Sequence, residues 1–148
     1  MTAEKTSPDK LSVVVYAGHF DKVHYALVMA SAAAAIGRPV TLFFTMGACE
    51  ALRRPGDDGV WPWMDMPLSE GDGTGGDMDR AYAEKGVATF DELWEACVAL
   101  GVRFLVCEMG LRARGMEGEP LRDDAEIERS GVVTFIDDAS KDGAMLLI

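Results

Sequence analysis

The sequence predicts an α/β protein, a three-layer α/β/α sandwich with flavodoxin-like layering around a mainly parallel sheet of four or five strands. Short β-branched apolar runs alternate with helical segments, which is typical of parallel sheets covered by helices. The first strand, helix and strand follow one another within residues 11–45, the spacing of a right-handed βαβ unit. At 148 residues, the chain fits a single domain over 1–148.

The first third of the chain contains this βαβ unit and a short helix. Gly37 and Pro39 follow the first helix, where glycine and proline commonly end helices. The predicted elements are a strand over 11–16, an alanine-rich helix over about 20–36, a second strand over 40–45 and a short helix over about 47–55.

The pattern breaks over about residues 56–86, an acidic, glycine-rich insert that we expect to be flexible or to form an interface. An apolar stretch over 60–68 inside it contains Trp61 and Trp63. These tryptophans are expected to dock onto their own domain or onto another subunit.

Regular structure is predicted again from Thr89, which caps a helix over about 90–100 and forms a capping box with Glu92. The segments that follow are a buried strand ending at Cys107, a turn over 108–110, a short helix or turn over 111–115, a helical turn over 123–126, a helix within 131–139 and a final buried strand over 144–148.

Composition excludes several classes of protein. The formal net charge of −11 argues against nucleic-acid binding, because phosphates require a basic surface. The polar N-terminus is not a signal peptide, and the apolar stretch over 25–36 is too short to span a membrane. Three scattered cysteines indicate reduced thiols in a soluble, cytoplasmic protein rather than disulfides or a zinc site.

Cys107 is the main candidate for chemistry, because chemistry in open α/β sheets gathers beyond the carboxyl ends of the strands. Backbone N–H groups of the following turn, together with Arg112 and Arg114, would favour its thiolate. The alternative is a small buried hydrophobic residue that simply ends a strand.

Other candidates lie in the loops that leave the first two strands. His19 could transfer a proton, and Asp21 could line the pocket or cap the helix. Cys49 follows the second strand and could be a second thiol, whereas the helical spacing of Cys97 predicts a core position. No dinucleotide, phosphate-loop or nucleophile-elbow motif is present, and the sulfur-containing pairs Met64/Met66 and Cys107/Met109 are better explained by packing than by a metal.

Three stretches, over 13–22, 40–45 and 100–109, resemble the DsrE/DsrF-like sulfur-relay family in order and spacing, as do residues 131–139 and the apolar end of the chain. The resemblance implies an α/β/α fold that assembles into trimers or hexamers. It also implies that Cys107 accepts a persulfide from a small donor protein and passes it to an acceptor, without a metal or an organic cofactor. Glu108 and Met109 would shape the pocket.

Two other functions stay open at this point. The chain could be a non-catalytic oligomeric binding protein with the same fold. Alternatively, Cys49 and Cys107 could form a disulfide-based sensor, which requires their Cα atoms to lie within about 7 Å.

Overall fold

The protein contains a five-stranded, entirely parallel sheet in the order β4-β3-β2-β1-β5, as seen in a computed structural model that describes residues 6–148. This confirms the predicted fold class. The strands are β1 (Leu11–Val15), β2 (Val40–Phe44), β3 (Arg103–Cys107), β4 (Ile127–Ser130) and β5 (Ala144–Leu147).

Helices connect the strands and cover the sheet. The α-helices are α1 (Phe20–Ala35), α2 (Gly75–Glu84), α3 (Phe90–Ala99), α4 (Glu108–Ala113) and α5 (Val132–Asp138), and two 3₁₀ helices span Met46–Leu52 and Pro62–Asp65.

The main core lies on the sheet face that α1 and α3 cover. Val13 pairs with Leu42, which pairs in turn with Phe104, and all three side chains are buried in one cluster. Paired residues of parallel strands point to the same face, so this register aligns one continuous apolar layer under the two helices.

The opposite face carries a much smaller core. Phe43 and Leu105 point there, and α5 contributes Phe135, whose ring centroid lies 5.2 Å from that of Phe43. The strand order explains this placement. The chain moves across the sheet from β1 to β4 and then returns to β5, so a right-handed crossover puts the last helix on the other face.

The insert over 56–86 packs onto this domain. The ring centroid of Trp63 lies 4.4 Å from that of Phe90 and 5.6 Å from that of Phe20, and the tryptophan is buried in the main core. Trp63 therefore packs onto its own domain, which is one of the two arrangements expected for the tryptophans.

Arg122 makes a second contact between the insert and the domain. Its guanidinium carbon lies 4.2 Å from the ring centroid of Trp61 and 3.8 Å from that of Trp94. The same side chain is almost fully buried and bonds the carboxylate of Asp124 at 2.7 and 2.8 Å. A buried charge of this kind requires such a partner, and the two rings complete its surroundings.

The insert is also more regular than its glycine content suggests, because it contains the second 3₁₀ helix and α2. Thr74 and Asp77 form a reciprocal capping box at the start of α2. The threonine and the aspartate satisfy the first free backbone N–H groups, which offsets the low helix propensity of Gly75 and Gly76.

Two predictions for the C-terminal region are wrong. No helical turn forms over 123–126; the next element is β4, whose charged residues hide the strand pattern because it lies at an edge of the sheet. β5 is a strand as predicted, but it is the other edge strand and is only half-buried, with Leu147 70% exposed.

Two local predictions differ in detail. Thr89 does cap α3 by accepting from the backbone N–H of Glu92, but the Glu92 carboxylate accepts from the Thr89 hydroxyl instead of closing a capping box. The turn predicted over 108–110 is the first turn of α4.

Candidate functional site

The predicted candidate residues follow three neighbouring strands at one edge of the sheet. His19 and Asp21 follow β1, Cys49 lies in the 3₁₀ helix after β2, and Cys107 ends β3. Phe44 pairs with Val106, so the ends of β2 and β3 lie side by side.

Close backbone contacts fix these loops against one another. A Cβ atom added to Gly47 would lie 2.8 Å from the backbone N and Cα of Gly18, and one added to Gly110 would lie 2.7 Å from the backbone N of Met46. Met46 itself has a φ of 47°, a conformation that side-chain-bearing residues rarely adopt. The sharp turn at Met46 therefore lets the first 3₁₀ helix pass directly beneath α4.

Cys107 occupies the N-cap position of α4, and its thiol makes no capping hydrogen bond. The side chain is only 4% exposed and packs with Phe43, Leu105 and Phe135 on the thinly covered face of the sheet. The cysteine is therefore at the predicted edge, but α5 covers it.

The other two thiols are poor nucleophiles. Burial raises the pKa of Cys97 to about 12, and its Sγ lies 3.6 Å from the carbonyl oxygen of Leu27. Burial, followed by the neighbouring charges of Cys107 and Glu50, raises the pKa of Cys49 to about 12. Because the thiolate is the reactive form, these raised pKa values count against Cys97 and Cys49 as nucleophiles.

The two arginines expected to assist Cys107 are paired with carboxylates. Arg112 bonds Glu117 at 3.1 Å, and Arg114 bonds Glu50 at 3.2 Å. The positive charge of Arg114 nonetheless lowers the pKa of Cys49 and so partly offsets the effect of burial.

His19 lines a cavity of about 730 Å³ between the β1–α1 loop, the first 3₁₀ helix and the insert. Its Nδ1 atom is buried without a hydrogen-bond partner. Cys107 is not among the lining residues, which are Gly18, His19, Gly47, Glu50, Arg114 and seven residues between Gly56 and Pro67.

Asp21 ties the insert to the start of α1. Its carboxylate accepts hydrogen bonds from the backbone N–H of Ser69, at 2.8 Å, and from the Ser69 hydroxyl. Burial alone would raise the pKa of Asp21, but these bonds and the charge of His19 outweigh it and hold the pKa below its usual value. The N-cap residue of α1 is His19, so Asp21 does not cap the helix in that position.

Glu108 and Met109 lie on the first turn of α4. Glu108 lines a small cavity of about 160 Å³ with Leu111, Glu117 and Arg129. Met109 is 60% exposed to solvent. Glu108 and Met109 follow Cys107 directly in the chain, but they and Asp21 do not line one common cavity.

Sequence reasoning did not identify two neighbours of Cys107. Phe135 covers it, and Ser130 pairs with it across β3 and β4, with an Oγ atom that is buried without a partner. The sequence offered one indication of the role of Phe135, because it is the one aromatic residue after Phe104. The position of Ser130 beside Cys107 could not be predicted, because β4 was not recognised as a strand.

Within residues 6–148, no three His, Cys, Asp or Glu side chains are grouped so that they could hold a metal ion. No helix in this part of the chain is long and apolar enough to cross a membrane.

The fold and the site define a class of protein, the α/β proteins that have a parallel sheet with a cysteine at the carboxyl end of the third strand. The sequence profile of the DsrE/DsrF/DrsH-like family matches residues 7–147, and the chain belongs to that family. The recognition made from the sequence is therefore confirmed.

Two curated relatives match nearly the whole chain. The uncharacterized protein YrkE of Bacillus subtilis is 29% identical over 156 residues, covering 94% of this chain and 96% of its own length. The sulfur carrier protein DsrE2 of Allochromatium vinosum is 27% identical over 158 residues, covering 94% of this chain and 98% of its own length. These similarities support a place in the sulfur-relay family.

A solved structure shares the fold. The crystal structure of the ychN protein from E. coli superposes with a TM-score of 0.53 at 17% sequence identity, covering 94% of this chain and 99% of its own.

Proposed function

We propose that this protein is a sulfur carrier in which Cys107 holds a transient persulfide. The observation that carries the proposal is the position of Cys107 at the carboxyl edge of the sheet, where it ends β3. The similarity over almost the full chain to a protein named as a sulfur carrier supports the same function.

The transfer is an exchange at sulfur. The Cys107 thiolate attacks the outer sulfur of a donor persulfide, a new S–S bond forms, the S–S bond of the donor breaks and the donor leaves as a thiolate. An acceptor thiolate then attacks the outer sulfur on Cys107 in the same way, and Cys107 is released. The sulfane sulfur changes hands without net oxidation, so the reaction needs neither a metal nor an organic cofactor.

Other edge residues have supporting roles in this proposal. His19, whose Nδ1 atom has no partner, would accept or return a proton at the edge. Glu108 and Met109 would shape the approach to Cys107 from α4, and Asp21 would hold the insert against the β1–α1 loop.

The first experiment is intact-protein mass spectrometry after exposure to a small persulfide donor. Wild-type protein should gain the mass of one sulfur atom, mapped by peptide analysis to Cys107. The Cys107→Ser variant should gain none, and Cys49→Ser, the matched control at the same edge, should load like wild type. Loading of Cys107→Ser on an intact Cys49 would show that the carrier residue is wrong.

A second candidate function is a thiol-based sensor that forms a Cys49–Cys107 disulfide. Both cysteines lie at the carboxyl edge of the sheet, but Cys49 packs in the main core and Cys107 in the small core on the other face, so the disulfide would require the loops to move. Treatment with peroxide distinguishes the candidates, since a sensor loses two hydrogen masses and joins the two cysteine peptides. A protein that neither loads sulfur nor oxidises fits the remaining alternative, a non-catalytic binding protein.

The proposed partners are small sulfur-donor and sulfur-acceptor proteins and further copies of this chain, as a trimer or hexamer. We place the contact between copies at β5, an edge strand with exposed apolar side chains at Met145 and Leu147. Residues 1–148 would act as one domain in the cytoplasm, where reducing conditions suit three free cysteines.

A further inference from the structure

We propose that the hydroxyl group of Ser130 is the hydrogen-bond donor that stabilises the thiolate of Cys107. The role of this bond in sulfur transfer rests on the proposed carrier function, but the contact itself can be tested on the protein alone. Ser130 would keep its proton throughout, so no bond to hydrogen forms or breaks at this residue.

The strand register places the two residues side by side. Cys107 is the last residue of β3 and pairs with Ser130, the last residue of β4. Paired residues of parallel strands point to the same face of the sheet, and neighbouring strands lie about 4.8 Å apart. The two side chains therefore leave the sheet next to each other.

The hydroxyl group of Ser130 has no other partner. Its Oγ atom is buried and makes no hydrogen bond within residues 6–148, the part of the chain that the structure describes. Because an unsatisfied buried hydroxyl destabilises a fold, such a group requires an explanation. A partner that exists only in another state of the site would provide one.

Ionisation of Cys107 would create that partner. A thiol is a weak hydrogen-bond acceptor, whereas a thiolate carries a full negative charge and attracts an O–H donor strongly. The side chains that pack around Cys107 are apolar, namely Phe43, Leu105 and Phe135. Apolar surroundings penalise a charge, so a single donor there has a large effect on ionisation.

The charged side chains of the neighbouring elements do not supply this stabilisation. Arg112 on α4 pairs with Glu117, and Arg129 on β4 donates to the carbonyl oxygens of Glu117 and Glu119. Glu108 follows Cys107 directly and carries the same sign of charge as a thiolate. The charged residues of α5 are both carboxylates. A neutral donor is therefore what this site offers the thiolate, and Ser130 holds one at the paired position.

The test is a pH titration of the Cys107 thiolate, followed by the ultraviolet absorbance that a thiolate has and a thiol lacks. The signal is the difference between each protein and the same protein carrying Cys107→Ser, which cancels the absorbance of the other cysteines and of the tyrosines. Ser130→Ala should move the midpoint of thiolate formation to higher pH by about one unit, because the charged form loses its donor. Ser130→Thr keeps the hydroxyl group and should stay close to wild type.

Two controls make the result specific to Ser130. Ser12→Ala is the same change on the same face of the sheet, but Ser12 lies on β1 at the level of Arg103, four residues before Cys107. Thr45→Val removes the hydroxyl group that directly follows β2, on the other side of β3. Both controls should keep the midpoint of wild type. The proposal is overturned if Ser130→Ala leaves the midpoint unchanged, or if Ser130→Thr or either control raises it as much as Ser130→Ala does.

The titration requires no sulfur donor, so its outcome is independent of persulfide loading. A midpoint shifted by Ser130→Ala, in a protein that does not load sulfur, would keep the contact and remove the carrier function. Sulfur loading on Cys107 with an unshifted midpoint would keep the carrier function and remove the contact.

Discussion

Asp138 shows how one side chain can join an otherwise weakly attached helix to the sheet. Burial alone would raise the pKa of its carboxyl group. Hydrogen bonds from Lys10 and Thr41, with the positive charges of Lys10 and Arg103, outweigh burial and hold the pKa below its usual value. A carboxyl group with a lowered pKa in the folded state stabilises that state whenever it is ionised.

This predicts a pH-dependent effect of Asp138→Asn. At pH 7 the variant should have a free energy of unfolding about 2 kcal/mol lower than wild type, since charge-assisted hydrogen bonds are lost. The stabilising effect is fully present above the unfolded-state pKa of about 3.9, and it is lost as the pH falls through the lower folded-state pKa. The difference between the two proteins should therefore shrink below about pH 4.

Urea unfolding followed by circular dichroism at several pH values measures this difference. The matched control is Asp137→Asn, the exposed neighbour on α5, which should stay close to wild type throughout. A difference for Asp138→Asn that is unchanged down to about pH 2 would contradict the assignment of its partners.

Placement of Cys107 could be predicted from the sequence, whereas its burial could not. An apolar run followed by a glycine-bearing segment locates the end of β3 and the edge of the sheet. Its burial depends on Phe135, 28 positions further along the chain, and on the return of the chain across the sheet. Such long-range contacts leave no local pattern.

At the scale of elements, the site edge depends on loops that approach one another at backbone distance. The β1–α1 loop and the first 3₁₀ helix meet at Gly18 and Gly47, where a Cβ atom on Gly47 would lie 2.8 Å from the Gly18 backbone and one on Gly18 would lie 3.1 Å from the Gly47 backbone. Because the obstructing atoms belong to the backbone, a substitution there has to move a whole loop.

Gly47→Ala should therefore lower the free energy of unfolding by about 1–3 kcal/mol. Gly118→Ala is the matched control, since a Cβ atom at Gly118 would meet nothing within 4 Å, and its stability should stay near that of wild type. Chemical denaturation of both variants checks this. Equal stabilities for the two variants would show that the loops do not meet as closely as the structure has them.

The two elements that were not predicted, β4 and α2, both lack the hydrophobic periodicity by which strands and helices are recognised. β4 has one apolar residue among its four, because its edge position allows charged side chains such as Glu128 and Arg129. α2 contains two glycines and is held by its cap and by the packing of the insert. Buried elements such as β1, β2 and α1 carry the periodicity that predicts them, and the structure places them within about one residue of prediction.

For the whole molecule, charge and apolar surface are unevenly distributed. The chain has a formal net charge of −11, yet no charged residue follows Asp142, and β5 exposes Met145 and Leu147 beside an unpaired strand edge. Copies of such an acidic protein repel one another over most of their surface, so an uncharged edge is where a second copy could pack most easily.

Leu147→Asp should consequently dissociate the proposed trimer or hexamer into monomers, which light scattering coupled to size-exclusion chromatography would detect. Val87→Asp places the same charge on an exposed valine between α2 and α3, and it should leave the assembly intact. A monomeric wild type, or dissociation by both substitutions, would contradict the contact at β5.

The packing of Arg122 between two indole rings has an optical consequence. All three tryptophans of the chain lie in the insert or in α3, on the same side of the sheet and opposite to α5. Intrinsic fluorescence is therefore a selective reporter of how the insert sits on the domain. During denaturation, a fluorescence change that precedes loss of the helical circular-dichroism signal would mark release of the insert from a sheet that is still folded.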